Sequence, residues 1–304
     1  MHDVSITRTP RRWEVADALP FIVCHLAVLG ALWSGVTTSA VVVAVVLYGV
    51  RMFFVTAGYH RYFSHRTYKT SRVGQAVLAF MAQTSAQKGA IWWASHHRRH
   101  HRLSDRPGDV HSPRQDGLFY AHVGWIFNGT GATDWGLVKD LARYPELVFL
   151  NRWYLLPPTV LAVAVLVLFG WSGLFIGFFA STVAVWHGTF VINSLAHVIG
   201  RRRFPTLDDS RNSVWLALVT FGEGWHNNHH SYMASTRQGF YWWELDLTYY
   251  LLRLGAALGL VWDLREPPAS HLTEGRARDR VVWRQRSVAM PSAATSSLAA
   301  TDAV

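Results

Sequence analysis

Cysteine is nearly absent from this chain. Of 304 residues only Cys24 is a cysteine, and it lies within an apolar run. A disulfide within the chain is therefore excluded, and nothing in the cysteine usage indicates an oxidising compartment. Any metal site would also have to be built without several thiolate ligands.

Motifs of a built-in redox domain are missing as well. No Gly-x-Gly-x-x-Gly opens a strand–helix unit, so no nicotinamide or flavin domain is predicted. The His-Pro-Gly-Gly signature of a fused cytochrome b-type domain is also absent. If the chain catalyses a redox reaction, its electrons must come from another protein.

Acidic residues are few: 19 Asp and Glu stand against 29 Lys and Arg, a net charge of +10. The basic residues are spread over the segments between apolar runs and form no single block. This pattern indicates membrane topology rather than nucleic-acid binding, so no nucleic-acid partner is expected. Half of the residues are hydrophobic, which is typical of the membrane class.

The apolar residues form four long runs, at residues 19–33, 39–58, 155–171 and 174–192. Each is near the ~20 residues that cross the hydrocarbon core of a bilayer. The links between the first two and the last two runs are short and uncharged, which predicts two hairpins. Arginine and lysine lie before, between and after the hairpins, so both termini and both large segments are expected in the cytoplasm.

The chain divides into three parts on this interpretation. Residues 1–18 form a cytoplasmic segment without a cleavable signal peptide, because the following apolar run is too long and lacks a small-residue cleavage site. Residues 19–264 form one all-α membrane domain, with further helices expected near 73–93 and 240–260. Residues 265–304 are rich in Pro, Ser, Ala, Thr and charge, and predict a disordered tail.

Three short histidine clusters lie beside the apolar runs. Neutral imidazole is the commonest metal-ligating side chain. Two of the clusters have i, i+3, i+4 spacing, which places the rings on one face of a helix. A five-residue spacing in the remaining cluster suits a helix end that runs into a loop. A fourth element, Asn193 and His197, is spaced i, i+4. The clusters are His60 and His65; His97, His100 and His101; and His226, His229 and His230.

Neutral nitrogen ligands, with few carboxylates nearby, suit Fe, Zn, Cu or Ni. A metal site at the cytoplasmic surface of a long apolar body suggests a lipid substrate. Iron is favoured on this ground, because it can activate oxygen against an unactivated carbon–hydrogen bond, which side chains alone cannot do.

These clusters, with the residues around them, resemble the membrane fatty-acid desaturase superfamily, and within it the acyl-coenzyme A desaturases of the stearoyl type. The similarity extends from Thr56 to Leu264, and its motifs follow the order of the family. The motifs are Thr56-Ala-Gly-Tyr-His-Arg-Tyr-Phe-Ser-His65, Trp93-Ala-Ser-His-His-Arg-Arg-His-His101, Ser104-Asp105, His122-Val-Gly-Trp125, Asn193-Ser-Leu-Ala-His197, Gly222-Glu-Gly-Trp-His-Asn-Asn-His-His230 and Gly259-Leu-Val-Trp-Asp263.

The resemblance implies an all-α integral membrane protein with four transmembrane helices and a cytoplasmic helical cap. It implies two iron ions, cycling between Fe²⁺ and Fe³⁺, within that cap. Asn193 matches an asparagine that reaches one iron through water. The histidines that match the family's ligands are His60, His65, His97, His100, His101, His197, His226, His229 and His230.

The activity implied is an oxygen-dependent acyl desaturation that places a cis double bond, most often at Δ9, in a long saturated chain. The expected carrier is coenzyme A, the electron donor a separate ferredoxin and reductase, and the location a bacterial plasma membrane with the site facing the cytoplasm. Arg98, Arg99 and Arg102 lie beside the second cluster and are candidates for binding acidic donors or coenzyme phosphates. A positive-inside membrane flank explains these arginines equally well.

Several alternatives stay open. A hydroxylase on the same di-iron scaffold would act on alkyl chains, sterols or carotenoids. A histidine-rich metal transporter would place its ligands within the spans. Acyl carrier protein and phospholipid are alternative carriers. Among the other histidines, His96 competes with His97 for the second cluster, while His111, His122 and His187 match no ligand of the family.

Overall fold

The computed structural model describes residues 15–129 and 131–289, and α-helices dominate them. Residues up to Pro267 belong to one compact unit, and α15 belongs to a second. The α-helices are α1 Val15–Val28, α2 Ala31–Ser34, α3 Thr38–Phe54, α4 Arg72–Gln83, α5 Ala90–Leu103, α6 Pro113–Asp116, α7 Leu118–His122, α8 Lys139–Ala142, α9 Pro145–Arg152, α10 Leu156–Ser172, α11 Ser181–Asn193, α12 Val214–Val219, α13 His226–Ser231, α14 Leu247–Ala257 and α15 Ala269–Ala289.

Wider and tighter helical turns extend several of these helices. A π-helix, Val55–Ser64, continues α3, and a second, Gly173–Ala180, joins α10 to α11. Three 3₁₀ turns occupy Gly124–Asn128, Trp135–Leu137 and Leu195–His197. The strands β1 Lys69–Thr70 and β2 Val261–Trp262 pair antiparallel, with Lys69 opposite Trp262.

Among the described residues, two helical runs are long and apolar enough to cross a membrane. Thr38–Ser64 contains the predicted span 39–58. Leu156–His197, of 42 residues, contains both 155–171 and 174–192, apart from residue 155. A kink at Gly170, whose φ of 67° suits glycine, separates the two parts of that run. The predicted first span, 19–33, lies in a shorter apolar helix, Ala18–Ser34. The prediction of a mostly helical protein is confirmed, although β1 and β2 form a short sheet, and the arrangement of four spans stays a prediction.

Large apolar side chains on these runs point outward. Val45, Val167 and Leu168 are 68, 77 and 72% exposed. Exposed apolar side chains on helices of this length and composition mark an interaction surface. It therefore supports association of the protein with a membrane.

A buried arginine links the first π-helix to segments that lie far from it in the sequence. Arg61 is fully buried and forms ion pairs with Glu223, at 3.0 Å, and with Asp246, at 2.9 Å. It also donates to the Thr236 carbonyl oxygen. A buried charge is tolerated only when it is paired in this way, so this network holds distant segments in one arrangement.

Two expectations on secondary structure need correction. The single helix expected at 73–93 is two helices, α4 and α5, because Ala86 and Lys88 between them adopt positive φ. The helix expected at 240–260 is limited to α14. In the predicted tail, residues 269–289 form α15, where Arg278 and Glu274 pair at i, i+4, and the disorder of the tail stays a prediction. Residues 290–304, like 1–14, lie outside the described residues.

Candidate metal centre

The first histidine cluster owes its geometry to the π-helix. His60 lies inside it and His65 directly follows it. The amide of His65 donates to the His60 carbonyl oxygen at 3.3 Å, an i→i+5 hydrogen bond of the π-helical kind. The wider turn places residues five apart near one another, and the two rings lie 4.9 Å apart. The spacing that suits an α-helical face poorly is thereby explained.

Helix α5 serves two histidine groups at once. His97 and His101 are one turn apart, and their Nε2 atoms lie 3.0 Å from each other. Because each residue turns the helix by about 100°, the His100 side chain leaves α5 in a direction different from those of His97 and His101. His100 accordingly belongs to a different histidine group from His97 and His101.

The first group, which we call the His60 group, brings five histidines together. Their ligating nitrogens all lie within 4.8 Å of one another. The Nε2 atoms of His65 and His97 are 2.9 Å apart, and those of His60 and His229 are 3.0 Å apart. The members of the group are His60, His65, His97, His101 and His229.

The second group, the His197 group, contains His100, His197, His226 and His230, again within 4.8 Å of one another. The 3₁₀ turn after α11 delivers His197, whose Nε2 lies 3.1 Å from His226 Nε2. Helix α13 contributes to both groups. All nine histidines singled out in the sequence thus fall into two adjacent groups.

Carboxylates stand behind these histidines, which corrects the expectation that few lie near the clusters. The Nδ1 atoms of His100, His197 and His230 face Asp109, Asp105 and Asp208 at 2.9, 2.8 and 2.8 Å. His60 Nδ1 is paired with Glu223 in the same way. A carboxylate at Nδ1 fixes the tautomer and leaves Nε2 free for a metal, as in many metal sites. Sequence spacing showed only Asp105, as part of a motif.

Burial sets the charge state of the groups. It lowers the pKa of His97, His101 and His229 well below the ordinary value, and the neighbouring imidazoles lower it further. Burial also lowers the pKa of His230 to about 4, against the opposing effect of Asp208. These imidazoles are therefore neutral at pH 7, which is the metal-binding form.

The carboxylates carry the compensating charge. Burial raises the pKa of Asp105, but the hydrogen bond from His197 and further donors outweigh it and lower the pKa to about 2. For Glu223 burial likewise raises the pKa, yet His60 and Arg61 bring it below its ordinary value. Anionic carboxylates next to neutral imidazoles favour a cation between the rings.

An orphaned nitrogen points to the same conclusion. Within the part of the chain that the structure describes, His230 Nε2 is buried without a hydrogen-bond partner, while Nδ1 of the same ring faces Asp208. Buried polar atoms are nearly always satisfied, so their exceptions call for a bound group. Nine imidazoles, with no thiolate among them, form a donor set that fits iron.

The competing histidines lie outside both groups. His96 Nδ1 contacts the Trp92 carbonyl oxygen, and the ring stacks on Trp92. The ring centroids of His111 and His100 lie 4.6 Å apart. His111, His100 and Asp109 form a further set of side chains that could hold a metal. His122 and His187 contact each other, at 3.0 Å between His122 Nε2 and His187 Nδ1.

The three candidate arginines differ from one another. Arg98 is only 20% exposed in its side chain and donates to Asp140 and to the carbonyl oxygens of Phe63 and Ser64. It therefore braces the turn that carries His65, which corrects its assignment to a docking surface. Arg99 and Arg102 are exposed.

Two cavities, of about 120 and 40 Å³, meet beside the groups. Trp93, His97, Thr189 and Asn193 line both. The larger continues between aromatic side chains that include Phe21, Trp125 and Trp186, and the smaller runs to Met52, Val55 and Thr220. Asn193, the water-linked candidate, is half-buried at this junction.

A family model described as "Fatty acid desaturase" matches residues 37–263 and so contains every histidine of both groups. The chain belongs to the membrane fatty acid desaturase family. The resemblance deduced from the histidine motifs is thereby confirmed at the level of the family.

Named relatives are similar to this desaturase-family protein over most of its length. The sn-1 stearoyl-lipid 9-desaturase of Anabaena variabilis is 35% identical over 263 residues, 85% of this chain and 96% of the relative. The sn-2 palmitoyl-lipid 9-desaturase of Nostoc sp. (strain 36) is 36% identical, covering 73 and 79%. The hex-5-enoyl-[acyl-carrier protein] acetylenase of Moorena producens (strain JHB) is 34% identical, covering 83 and 85%.

Proposed function

We propose that this protein is an oxygen-dependent acyl desaturase that introduces a cis double bond, at Δ9, into a long saturated acyl chain. The observation that supports this most is the pair of histidine groups at the junction of two largely apolar cavities. Two relatives whose names specify 9-desaturases of stearoyl- or palmitoyl-lipid support the position of the bond.

Two iron ions would be held by the nine histidines, and Asn193 would reach one of them through water. When bound, the irons would supply the oxidation by dioxygen that removes one hydrogen from each of two adjacent, unactivated carbons of the acyl chain. The carboxylates of Asp105, Asp109, Asp208 and Glu223 would keep the imidazoles oriented and balance the metal charge.

The protein itself would bind and orient the acyl chain. The larger cavity would take the part of the chain nearer the carrier, and the smaller cavity the methyl end. Gln87 Nε2 donates to Thr189 Oγ1 at 3.0 Å, which fixes one wall at the junction. A rigid wall there would hold one carbon–carbon bond next to the metals, so a single regioisomer is expected.

The sequence motifs and the relatives indicate different acyl carriers. The sequence pattern led us to expect acyl-coenzyme A, whereas the names of the relatives specify lipid-bound and acyl-carrier-protein-bound chains. These names favour a membrane lipid as the carrier, with acyl-coenzyme A as the second candidate.

Electrons would come from a separate donor such as ferredoxin with its reductase. The protein would lie in a bacterial plasma membrane, with four spans in two hairpins and both termini in the cytoplasm. The exposed Arg99 and Arg102 would contribute to the donor surface.

The proposal is tested by supplying membranes that contain the protein with saturated acyl chains on each of the three carriers, together with oxygen, NADPH, ferredoxin and reductase. The expected product is the Δ9 monoene by mass spectrometry, formed from one carrier preferentially. His229→Ala is the matched inactive control. Hydroxylated chains alone would replace the proposal with the hydroxylase alternative, and iron-loaded protein without any product from any carrier would contradict it.

A further inference from the structure

Three histidines outside the metal groups form a continuous hydrogen-bonded chain. His25 on α1 contacts His187 on α11, with their Nε2 atoms 3.1 Å apart. His187 Nδ1 then contacts His122 Nε2 on α7 at 3.0 Å. His122 Nδ1 lies 3.0 Å from the Ser194 hydroxyl. None of these three histidines matches a metal ligand of the family.

Both ends of this chain finish on carbonyl oxygens. His25 Nδ1 lies 2.8 Å from the Phe21 carbonyl oxygen, and the Ser194 hydroxyl lies 2.8 Å from that of Phe190. A carbonyl oxygen only accepts, so each end of the chain must donate outward.

The neutral side chains of this hydrogen-bonded chain carry one hydrogen too few. The chain contains five links, and each needs one hydrogen. A neutral imidazole carries a single N–H, and a serine a single O–H. Three neutral histidines and Ser194 therefore supply four hydrogens for five links. All five links form together only when the chain binds one additional proton.

The chain borders the larger cavity. The His25 ring lies 4.1 Å from the Phe21 ring, and Phe21 stacks on Trp186 at 5.5 Å. Phe21 and Trp186 line that cavity, as does Pro20 of α1. A change in the hydrogen bonds between these histidines therefore changes how firmly α1 packs at the cavity wall.

We propose that His25, His187 and His122 bind one shared proton and act as a pH-sensitive latch that holds α1 against α11 at the wall of the larger cavity. The latch is complete when the proton is bound and loses one link when the proton leaves. The proposal depends neither on the metals nor on the reaction.

Other ionisable groups belong to the elements packed here. Cys24 lies on α1 and Tyr120 on α7, where the Tyr120 hydroxyl accepts from Asn128. Arg51 on α3 donates to Thr182 and Ser181 of α11. Burial lowers the pKa of His122, which opposes proton binding, whereas the fifth link favours it. The proton is thus expected on the acidic side and is lost as pH rises.

Two substitutions at opposite ends of the chain remove the shortfall. Ser194→Ala leaves three links for three neutral histidines. His25→Phe leaves three links for two histidines and a serine. Each variant is satisfied without an additional proton, so neither should show the pH effect. Ser194→Thr keeps the hydroxyl and should retain it, and His271→Gln in the second unit is a histidine control.

The test compares thermal unfolding of the purified full chain in detergent between about pH 5.5 and pH 8. Because the metal-group histidines are common to all variants, their titration cancels in the difference. The Tm advantage of the wild type over Ser194→Ala and over His25→Phe should shrink by about 2 °C as pH rises, the equivalent of about one hydrogen bond in a protein of this size. Ser194→Thr and His271→Gln should follow the wild type.

Cys24 is the only cysteine and lies beside His25, so it reports on the seating of α1. At about pH 5.5 the His25–His187 link is present in both proteins, so a thiol reagent should modify Cys24 at similar rates in the wild type and in Ser194→Ala. At about pH 8 the wild type is one hydrogen short, and its Cys24 should be modified severalfold faster than that of Ser194→Ala. Parallel Tm curves for the wild type, Ser194→Ala and His25→Phe would overturn the proposal, as would a pH effect that only one of the two substitutions removes. If one of these variants fails to fold, the other decides.

Discussion

The carboxylate behind His197 offers the sharpest test of the metal centre. Asp105 Oδ2 accepts from His197 Nδ1 and from the Asp209 amide, both at 2.8 Å, and Oδ1 accepts from Ser112 at 2.6 Å. In Asp105→Asn the amide oxygen can keep the first two contacts, while its NH₂ group faces Ser112. The substitution therefore removes the negative charge and leaves the geometry almost unchanged.

The expected loss is confined to the His197 group. Outer carboxylates of this kind typically contribute about 10- to 100-fold to metal affinity. That range corresponds to about 1.4–2.7 kcal/mol. Because the geometry is retained, we expect Asp105→Asn near the lower end and Asp105→Ala near the upper end.

The assay is metal analysis of iron-loaded protein after dialysis against a graded chelator. The wild type should retain about two metals per chain under conditions in which Asp105→Asn retains about one. The matched variant is Glu223→Gln, which removes the carboxylate behind His60 in the other group. It should also retain about one metal, and the double variant should retain almost none.

Two results would refute this reasoning. Wild-type affinity at both sites in Asp105→Asn would show that the carboxylate does not support a metal ligand. Equal loss of both metals would show that the two groups do not bind metal independently. Since Glu223 also pairs with Arg61, thermal unfolding must show that Glu223→Gln is still folded.

Three further predictions follow from the same structure. His97→Ala should abolish turnover and reduce bound metal, because His97 belongs to the His60 group. His96→Ala should keep substantial activity, because His96 contacts Trp92 instead. The opposite pattern would show that His96, and not His97, is the metal ligand. Reporter fusions after Thr38 and Gly173 should report the outside and fusions after Arg114 the cytoplasm, and an external signal after Arg114 would contradict the single cytoplasmic site. Arg98→Ala should lower Tm by several degrees through the loss of its bonds to Asp140, Phe63 and Ser64, while its exposed neighbour in Arg99→Ala should change Tm little; equal effects would argue against the bracing role.

Periodicity along the chain was sufficient for much of the fold. The spacing of His97, His100 and His101 predicts one helical face, and α5 has it. The apolar runs at 39–58, 155–171 and 174–192 coincide with the two long helical runs. Local patterns of this kind are reliable because they depend on neighbours within one or two turns.

These local patterns do not predict where the backbone departs from a regular α-helix. The five-residue spacing of His60 and His65 was interpreted as a helix end, and the structure has a π-helix there. The break between α4 and α5 depends on positive φ at Ala86 and Lys88, residues with no general preference for that conformation. Such local strain is stabilised by tertiary contacts that a single segment does not contain.

By itself the sequence determined the membership in the desaturase family and, through that resemblance, the nine candidate histidines, because the motifs depend on residue identity and short spacing. Only the tertiary structure decided how the histidines divide between two groups, since His229 joins α13 to residues more than 120 positions away. It likewise decided which carboxylates stand behind the rings and that His25, His187 and His122 form one chain. Buried charges and shared protons depend on contacts between distant segments, and no local pattern records which segments meet.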